Sequence, residues 1–191
     1  FRASAVPIAA AVRRTLSGLP PEIKTAILQT GLNARQNREN QMAVVNIERR
    51  ADGIGRVAIN RPDKRNALNG DVRNTLIAEL PKLLGDDAVH AVLLTGEGGH
   101  FCAGGDIASM EGLDSKGARA RMKANHQIVR MIAEAEKPVV TAIEGFAVGA
   151  GAGLAMLGDT AVIAEGGTIG FPFFKVGLIP DYGILHTLSR R

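Results

Sequence analysis

The sequence predicts an α/β fold built on a mostly parallel sheet, and three observations carry that prediction. From residue 42 onward, short runs of β-type apolar residues alternate with amphipathic runs of helical period. Two of the apolar runs, AVHAVLLT (88–95) and the 138–143 part of KPVVTAIEG, end in glycine-dense turns that lead into a helical stretch. The 191 residues are 46% hydrophobic, enough to bury one substantial core.

Taken in order, the domain begins with two strands, AVVNIERR and RVAIN, joined by the turn ADGIG. Val45 and Ile47 alternate with Asn46 and Glu48, which predicts a half-buried edge strand. Residues 71–84 carry Val72, Leu76, Leu80 and Leu83 at helical spacing, and Pro81 is expected to kink or shorten that helix. Strand 88–95 and the first glycine turn follow, with Ile107 opening a short helix. Ser115 then caps a long helix to about Glu136, its buried stripe formed by Ile128, Val129, Ile132 and Ala135. After strand 138–143 and the second glycine turn come a short apolar helix (Leu154, Ala155, Met156, Leu157), a strand at 160–164, the Gly166-Gly167 turn, an aromatic segment and a helix starting at Tyr182.

Charge divides the chain in two. Residues 1–41 hold six basic residues (Arg2, Arg13, Arg14, Lys24, Arg35, Arg38) against Glu22 and Glu39, which accounts for the whole formal net charge of +4. Residues 42–191 hold 17 basic and 17 acidic residues, so the core domain has no net pull on polyanions and nucleic acid is not expected as a partner. The 1–41 segment is read as a basic arm. Its acid-free, Ala-, Ser- and Arg-rich start resembles an organelle transit peptide; the alternative is a leader segment, since Met42 directly precedes the first strand. Pro20-Pro21 breaks the arm and 22–32 reads as a short helix. No apolar run approaches the ~18 residues of a membrane span. Cys102 is the single cysteine, so no internal disulfide can form, and it reads as a packed side chain rather than a nucleophile.

The two glycine turns carry the chemistry. Gly145, Gly149, Gly151 and Gly153 let the backbone approach a ligand without a Cβ in the way, and the free N–H groups at the following helix start suit an oxygen that becomes negative. The upstream turn, GEGGHFCAGGD, has the same layout, so two turns can grip one oxygen from two sides. His90, His100 and His126 show no ligand spacing, and no metal or separate cofactor is expected.

FCAGGDI (101–107), KPVVTAIEGFAVGAGAGLA (137–155) and IGFPFFKVGLIPDYG (169–183), together with NRPDKRNALN (60–69), resemble the motifs of the crotonase superfamily of enoyl-CoA hydratases and isomerases, in that family's order. The resemblance covers about residues 42–191. It implies a crotonase-like ββα superhelix whose C-terminal helical part, which completes the pocket and builds a trimer or dimer of trimers, lies beyond Arg191. It also implies an acyl-CoA thioester as substrate, with coenzyme A entering as part of it, and chemistry through an enolate. By motif matching, Gly105 and Ala150 are the two oxyanion donors, Ala150 standing where glycine is usual. Lys64, Arg65, Ala67, Ala103, Gly105, Asp106, Ile107 and Ala150 fall at CoA- or substrate-binding positions, and Asp106 is expected to fix its loop by accepting backbone N–H bonds.

The acid and base residues depart from the hydratase pattern. The two glutamates that hydratase-type members use fall at Gly153 and Phe173. Asp181, in GLIPDYG, matches the position of the working carboxylate in Δ3,Δ2-enoyl-CoA isomerases, and one carboxylate suffices to shuttle a proton from C2 to C4. Phe171, Phe173, Phe174, Ile179 and Tyr182 are expected to surround it and raise its pKa. An Asp following Pro180 is also a good N-cap, so a capping role stays open. Tyr182 and His186 are secondary candidates for their nearness to Asp181. The resemblance thus favours an isomerase of fatty-acid β-oxidation. The alternatives are a hydrolase similar to 3-hydroxyisobutyryl-CoA hydrolase, a hydratase, and a silent member that binds acyl-CoA or RNA. The expected compartment is the cytoplasm of a bacterium or the mitochondrial or peroxisomal matrix of a eukaryote, not the exterior.

Overall fold

The computed structural model describes residues 43–190 together with Pro21. The expectations placed on residues 1–41, with the arm's 22–32 helix and the start at Met42, lie outside the described residues. The first two strands, β1 (Val45–Arg49) and β2 (Ile54–Ile59), form an antiparallel hairpin. Helix α1 (Gly70–Leu84) leads to β3 (Ala91–Gly96), and helix α2 (Ser115–Ala133) to β4 (Val139–Ile143). Then follow β5 (Phe146–Val148), α3 (Ala150–Leu157), β6 (Thr160–Ile163), β7 (Thr168–Gly170) and the short α4 (Ile184–Thr187).

The main sheet has the order β1-β2-β3-β4-β6, and every pairing after the hairpin is parallel. Strands β2 and β3 are buried along their whole length, as parallel strands covered on both faces must be. Strand β1 is the edge. Its Asn46 faces inward rather than outward as the alternation predicts: it is 3% exposed, and its amide donates to Glu97 at 3.1 Å. Glu97 also accepts from the buried Arg56 at 2.9 Å, so a polar network at this end of the sheet overrides the period-two pattern.

Helix α1 starts at Asn69, whose side chain accepts the Val72 amide at 3.0 Å, and its stripe of Val72, Leu76, Leu80 and Leu83 is buried. Each such side chain contributes on the order of 1.5–3 kcal/mol. Pro81 does not shorten the helix, which runs on to Leu84. The proline falls in the last turn, where Leu80 and Leu83 anchor both flanks in the core. Helix α2 is capped by Asp114, not Ser115: the carboxylate accepts the Gly117 amide at 2.7 Å, and Ser115 is the first helical residue. Ile128 and Ile132 of its stripe are buried, while Val129 and Ala135 pack at the margin.

The second glycine segment contains more than a turn. Phe146–Val148 forms a strand that pairs in parallel with Thr168–Gly170 to make a separate two-stranded sheet. Neither strand was expected from the sequence. The small sheet carries the start of α3 away from the end of β4 and sets it against the first glycine turn, where Cys102 bridges to Ala147. Helix α3 is apolar all round and buried over Ala150–Met156.

Candidate active site

A cavity of about 590 Å³ opens where the two glycine turns meet α2 and the 172–182 segment. Gly104 takes φ +98, and a side-chain carbon there would strike the Val148 carbonyl oxygen at 2.6 Å and lie 3.5 Å from the Ala150 nitrogen. Only glycine permits that approach. Ala150 is the first residue of α3, so its N–H has no partner within the helix. Neither the Ala150 amide nor the Gly105 amide donates to an acceptor among the described residues, and both residues line the cavity. The pair is arranged as two main-chain donors facing one space.

The loop that precedes α1 is stitched to the first glycine turn. Leu68 N donates to Gly104 O at 2.8 Å, Asp106 N to Leu68 O at 3.1 Å and Ala103 N to Arg65 O at 2.9 Å. Asn66, fully buried and at φ 60, donates from Nδ2 to the carbonyls of Glu97 (2.8 Å) and His100 (2.7 Å) and accepts the Arg61 amide at 2.8 Å. The Asp106 carboxylate does not hold backbone N–H groups as expected. It accepts from the Arg61 guanidinium at 3.0 Å, because that side chain reaches across from the stitched loop.

Ala103, Gly105, Ile107, Ala150, Phe173, Asp181 and Tyr182 all line the cavity. Lys64, Arg65, Ala67 and Asp106 do not; Lys64 and Arg65 stand exposed on a short turn beside it. Phe171 is a correction: it precedes the bend at Pro172 and is outside the wall. Phe174 is another. Residues 173–176 make one three-fold turn, which puts Phe173 and Val176 against the cavity and leaves Phe174 81% exposed. His186 is exposed and outside the wall.

Asp181 is not a helix cap. The last helix begins at Ile184 behind Gly183, with no side-chain cap. The carboxylate instead points into the fold, where Oδ2 accepts from the Asn125 amide at 3.3 Å and Oδ1 is buried without a partner among the described residues. Burial holds the Asp181 carboxyl above the ordinary carboxylate range, against the opposing pull of the Arg121 charge and the Asn125 hydrogen bond. Asn125 also accepts the Tyr182 hydroxyl at 3.2 Å. Burial, helped by the Asp181 charge, pushes the Tyr182 phenol far up, so it stays protonated.

Three polar wall residues do not stand out in the sequence: Arg73, Arg121 and Asn125. A signal for two of them existed. Arg121, Asn125, Ile128 and Ile132 share one face of α2 at spacings of four, three and four, so a polar pair continues the buried stripe. Cys102 is buried and its thiol is pushed up to about 12 by desolvation, which suits a packed side chain. Among the described residues no cluster of three His, Cys, Asp or Glu side chains is placed to hold a metal ion.

A family model described as enoyl-CoA hydratase/isomerase matches residues 49–191. A 1,2-epoxyphenylacetyl-CoA isomerase from Escherichia coli is 35% identical over 143 residues, 72% of this chain and 54% of its own length. A crotonyl-CoA hydratase from Syntrophomonas wolfei is 37% identical over 133 residues, 69% of this chain and 51% of its own length. The chain thus spans about half the length of these curated relatives. A solved enoyl-CoA hydratase/isomerase from Mycobacterium paratuberculosis superposes with a TM-score of 0.73 at 29% identity, over 79% of this chain and 61% of that one.

Proposed function

The chain belongs to the enoyl-CoA hydratase/isomerase family, and on that premise we propose that it binds an acyl-CoA thioester and moves a double bond from C3–C4 to C2–C3, with Asp181 as the single acid/base. The observation that carries the reading is the composition of the cavity wall. Asp181 is its only carboxylate among the described residues, and it shares the cavity with the Gly105 and Ala150 amides, which donate to no acceptor among them.

The steps balance on these groups. The Asp181 carboxylate takes a proton from C2, and the electron pair left behind moves into the thioester carbonyl, forming an enolate whose oxygen faces the Gly105 and Ala150 N–H groups. The enolate then collapses: C2–C3 becomes double, the C3–C4 pair takes the same proton at C4, and Asp181 is regenerated as carboxylate. Each main-chain donor is worth on the order of 3 kcal/mol of barrier. The shuttle needs a carboxyl that gains and loses a proton readily, and the raised Asp181 supplies one.

Water addition is disfavoured because neither hydratase-type carboxylate is present: those positions hold Gly153, a buried residue of α3, and Phe173, an apolar wall residue. The absent acid at Phe173 also weighs against the hydrolase alternative. The name of the E. coli relative, an isomerase acting on a CoA thioester, agrees with the proposal, while that of the S. wolfei relative, a hydratase, is the competing outcome. The trimeric assembly and a place in fatty-acid β-oxidation belong to the same proposal.

The test follows 3-enoyl-CoA to conjugated 2-enoyl-CoA by ultraviolet absorbance for the wild type and Asp181→Asn. The expected result is turnover in the wild type, a drop of about 10²–10⁴-fold in the variant, and unchanged thioester affinity. Intact binding with no isomerisation by the wild type would retire the proposal.

A further inference from the structure

The cavity holds two charged side chains that the isomerisation does not use. Arg73 on α1 is 7% exposed and Arg121 on α2 is partly exposed, and both line the wall with Asp181. Arg73 donates to the Leu68 carbonyl at 2.8 Å and Arg121 to the Ser109 hydroxyl at 2.9 Å. A guanidinium has five N–H donors, so most of each fork remains free. Neither forms an ion pair with a carboxylate among the described residues. The Arg121 fork hangs over the first glycine turn, its Nη2 lying 2.9 Å from where a side-chain carbon on Gly105 would stand.

Charge in the wall is therefore unbalanced. Among the described residues of the wall two guanidinium groups face one carboxylate; Asp106, whose charge also reaches Arg73, lies outside the wall and is paired with Arg61. Holding the buried Arg73 near the partly exposed Arg121 is unfavourable unless an anion joins them. The rest of the wall, with Leu68, Met110, Leu113, Met122 and Phe173, offers none. Lys64 and Arg65, which the family resemblance gives to the coenzyme A phosphates, stand outside the wall, which leaves the pair to another anion.

We infer that the acyl group of the substrate ends in a carboxylate, gripped by Arg73 and Arg121. The inference rests on the acyl-thioester reading above and narrows it to thioesters of dicarboxylic acids. A planar fork pairs with a carboxylate through two parallel N–H bonds, and two forks supply more donors than one carboxylate can use, so the contact selects for charge and for chain length together.

The experiment measures dissociation constants of adipyl-CoA and hexanoyl-CoA, which share a six-carbon chain and differ at its end. The wild-type chain is expected to bind adipyl-CoA about tenfold tighter or better; Arg121→Met removes the preference and Arg121→Lys keeps part of it. Arg121 is partly exposed, so its replacement leaves the core filled, and a thermal melt of the variant checks its fold. Equal affinity for the two thioesters in the wild type overturns the inference. So does a preference that survives Arg121→Met while turnover falls, which assigns the guanidinium to the enolate instead. Because the readout is binding, failure to isomerise leaves the inference standing, whereas failure to bind either thioester overturns it together with the acyl-thioester reading beneath it.

Discussion

A side-chain carbon built on Gly153 would overlap the Tyr182 Cβ and lie 3.1 Å from both Ile184 Cγ1 and Cδ1. Tyr182 thus occupies the space over α3 where a hydratase-type glutamate would begin. On the proposed reading, adding that acid alone is not expected to bring about water addition. Gly153→Glu is expected to destabilise the fold by about 3 kcal/mol through overpacking, read as a lower denaturation midpoint, with no gain of crotonyl-CoA hydration. Hydration by a stably folded variant would contradict the account.

The pH dependence follows from the burial of Asp181. Its folded carboxyl titrates above its unfolded value, so between the two the native state binds more protons, and stability falls as pH rises through that window. Asp181→Asn is therefore expected to raise the melting temperature at neutral pH. The same raised group places the acid limb of kcat/KM above the ordinary aspartate range, and the limb disappears in the variant. Melting curves and rate profiles across pH check both signs.

Asn125 is a positioning residue, held at 3% exposure between the Asp181 carboxylate and the Tyr182 hydroxyl. Its hydrogen bond favours the charged form of Asp181, so Asn125→Ala moves the acid limb to higher pH. It also leaves a buried phenol without its acceptor, at a cost of about 1–3 kcal/mol. A purely structural role would lower stability without moving the limb.

Ala150→Pro removes one oxyanion donor while sparing the helix, because proline is tolerated at the first helical position. Gly149, at ψ −123, lies outside the region that a following proline disfavours. Turnover is expected to fall about 100-fold, with circular dichroism unchanged.

The single thiol reports on the packing between the turns. Cys102 is buried and titrates near 12, and a side chain on Gly151 would press on its Sγ at 2.9 Å. A thiol-reactive chromophore should label nothing in the native chain and one group per chain in denaturant. Rapid native labelling would contradict the packing.

What the residues disclosed and what they hid have separable causes. The parallel sheet and both glycine turns were legible because long apolar runs and glycine clusters are local signals, whereas Asp181 stood out only through the family resemblance of GLIPDYG. Strands β5 and β7 were not legible, since each has three residues and exists only through pairing with residues 22 positions away in the chain. Ser115 was taken for the cap that Asp114 provides because both residue types serve, and only the loop's path decides between them. Phe171 and Phe174 were grouped with Phe173 by composition, whereas a three-residue turn sends one of the three inward. Arg73 and Arg121 are not set apart by residue type, because arginines on helices are usually solvated.

The Asn66 amide ties the turn after β2 to the turn after β3 through two hydrogen bonds while a third, from Arg61 N, holds it in its own turn, and the Arg65 and Leu68 backbone bonds complete the join. The mechanical consequence is that the surface bearing Lys64 and Arg65 and the peptide bearing the Gly105 N–H move as one rigid lever. A glutamine at this position would be a methylene too long to span the same three groups, and an aspartate would lose both donors. On the proposed reading, a displacement of the outer cationic loop is passed through the Asn66 side chain and these backbone bonds to the Gly105 amide that would receive the enolate oxygen.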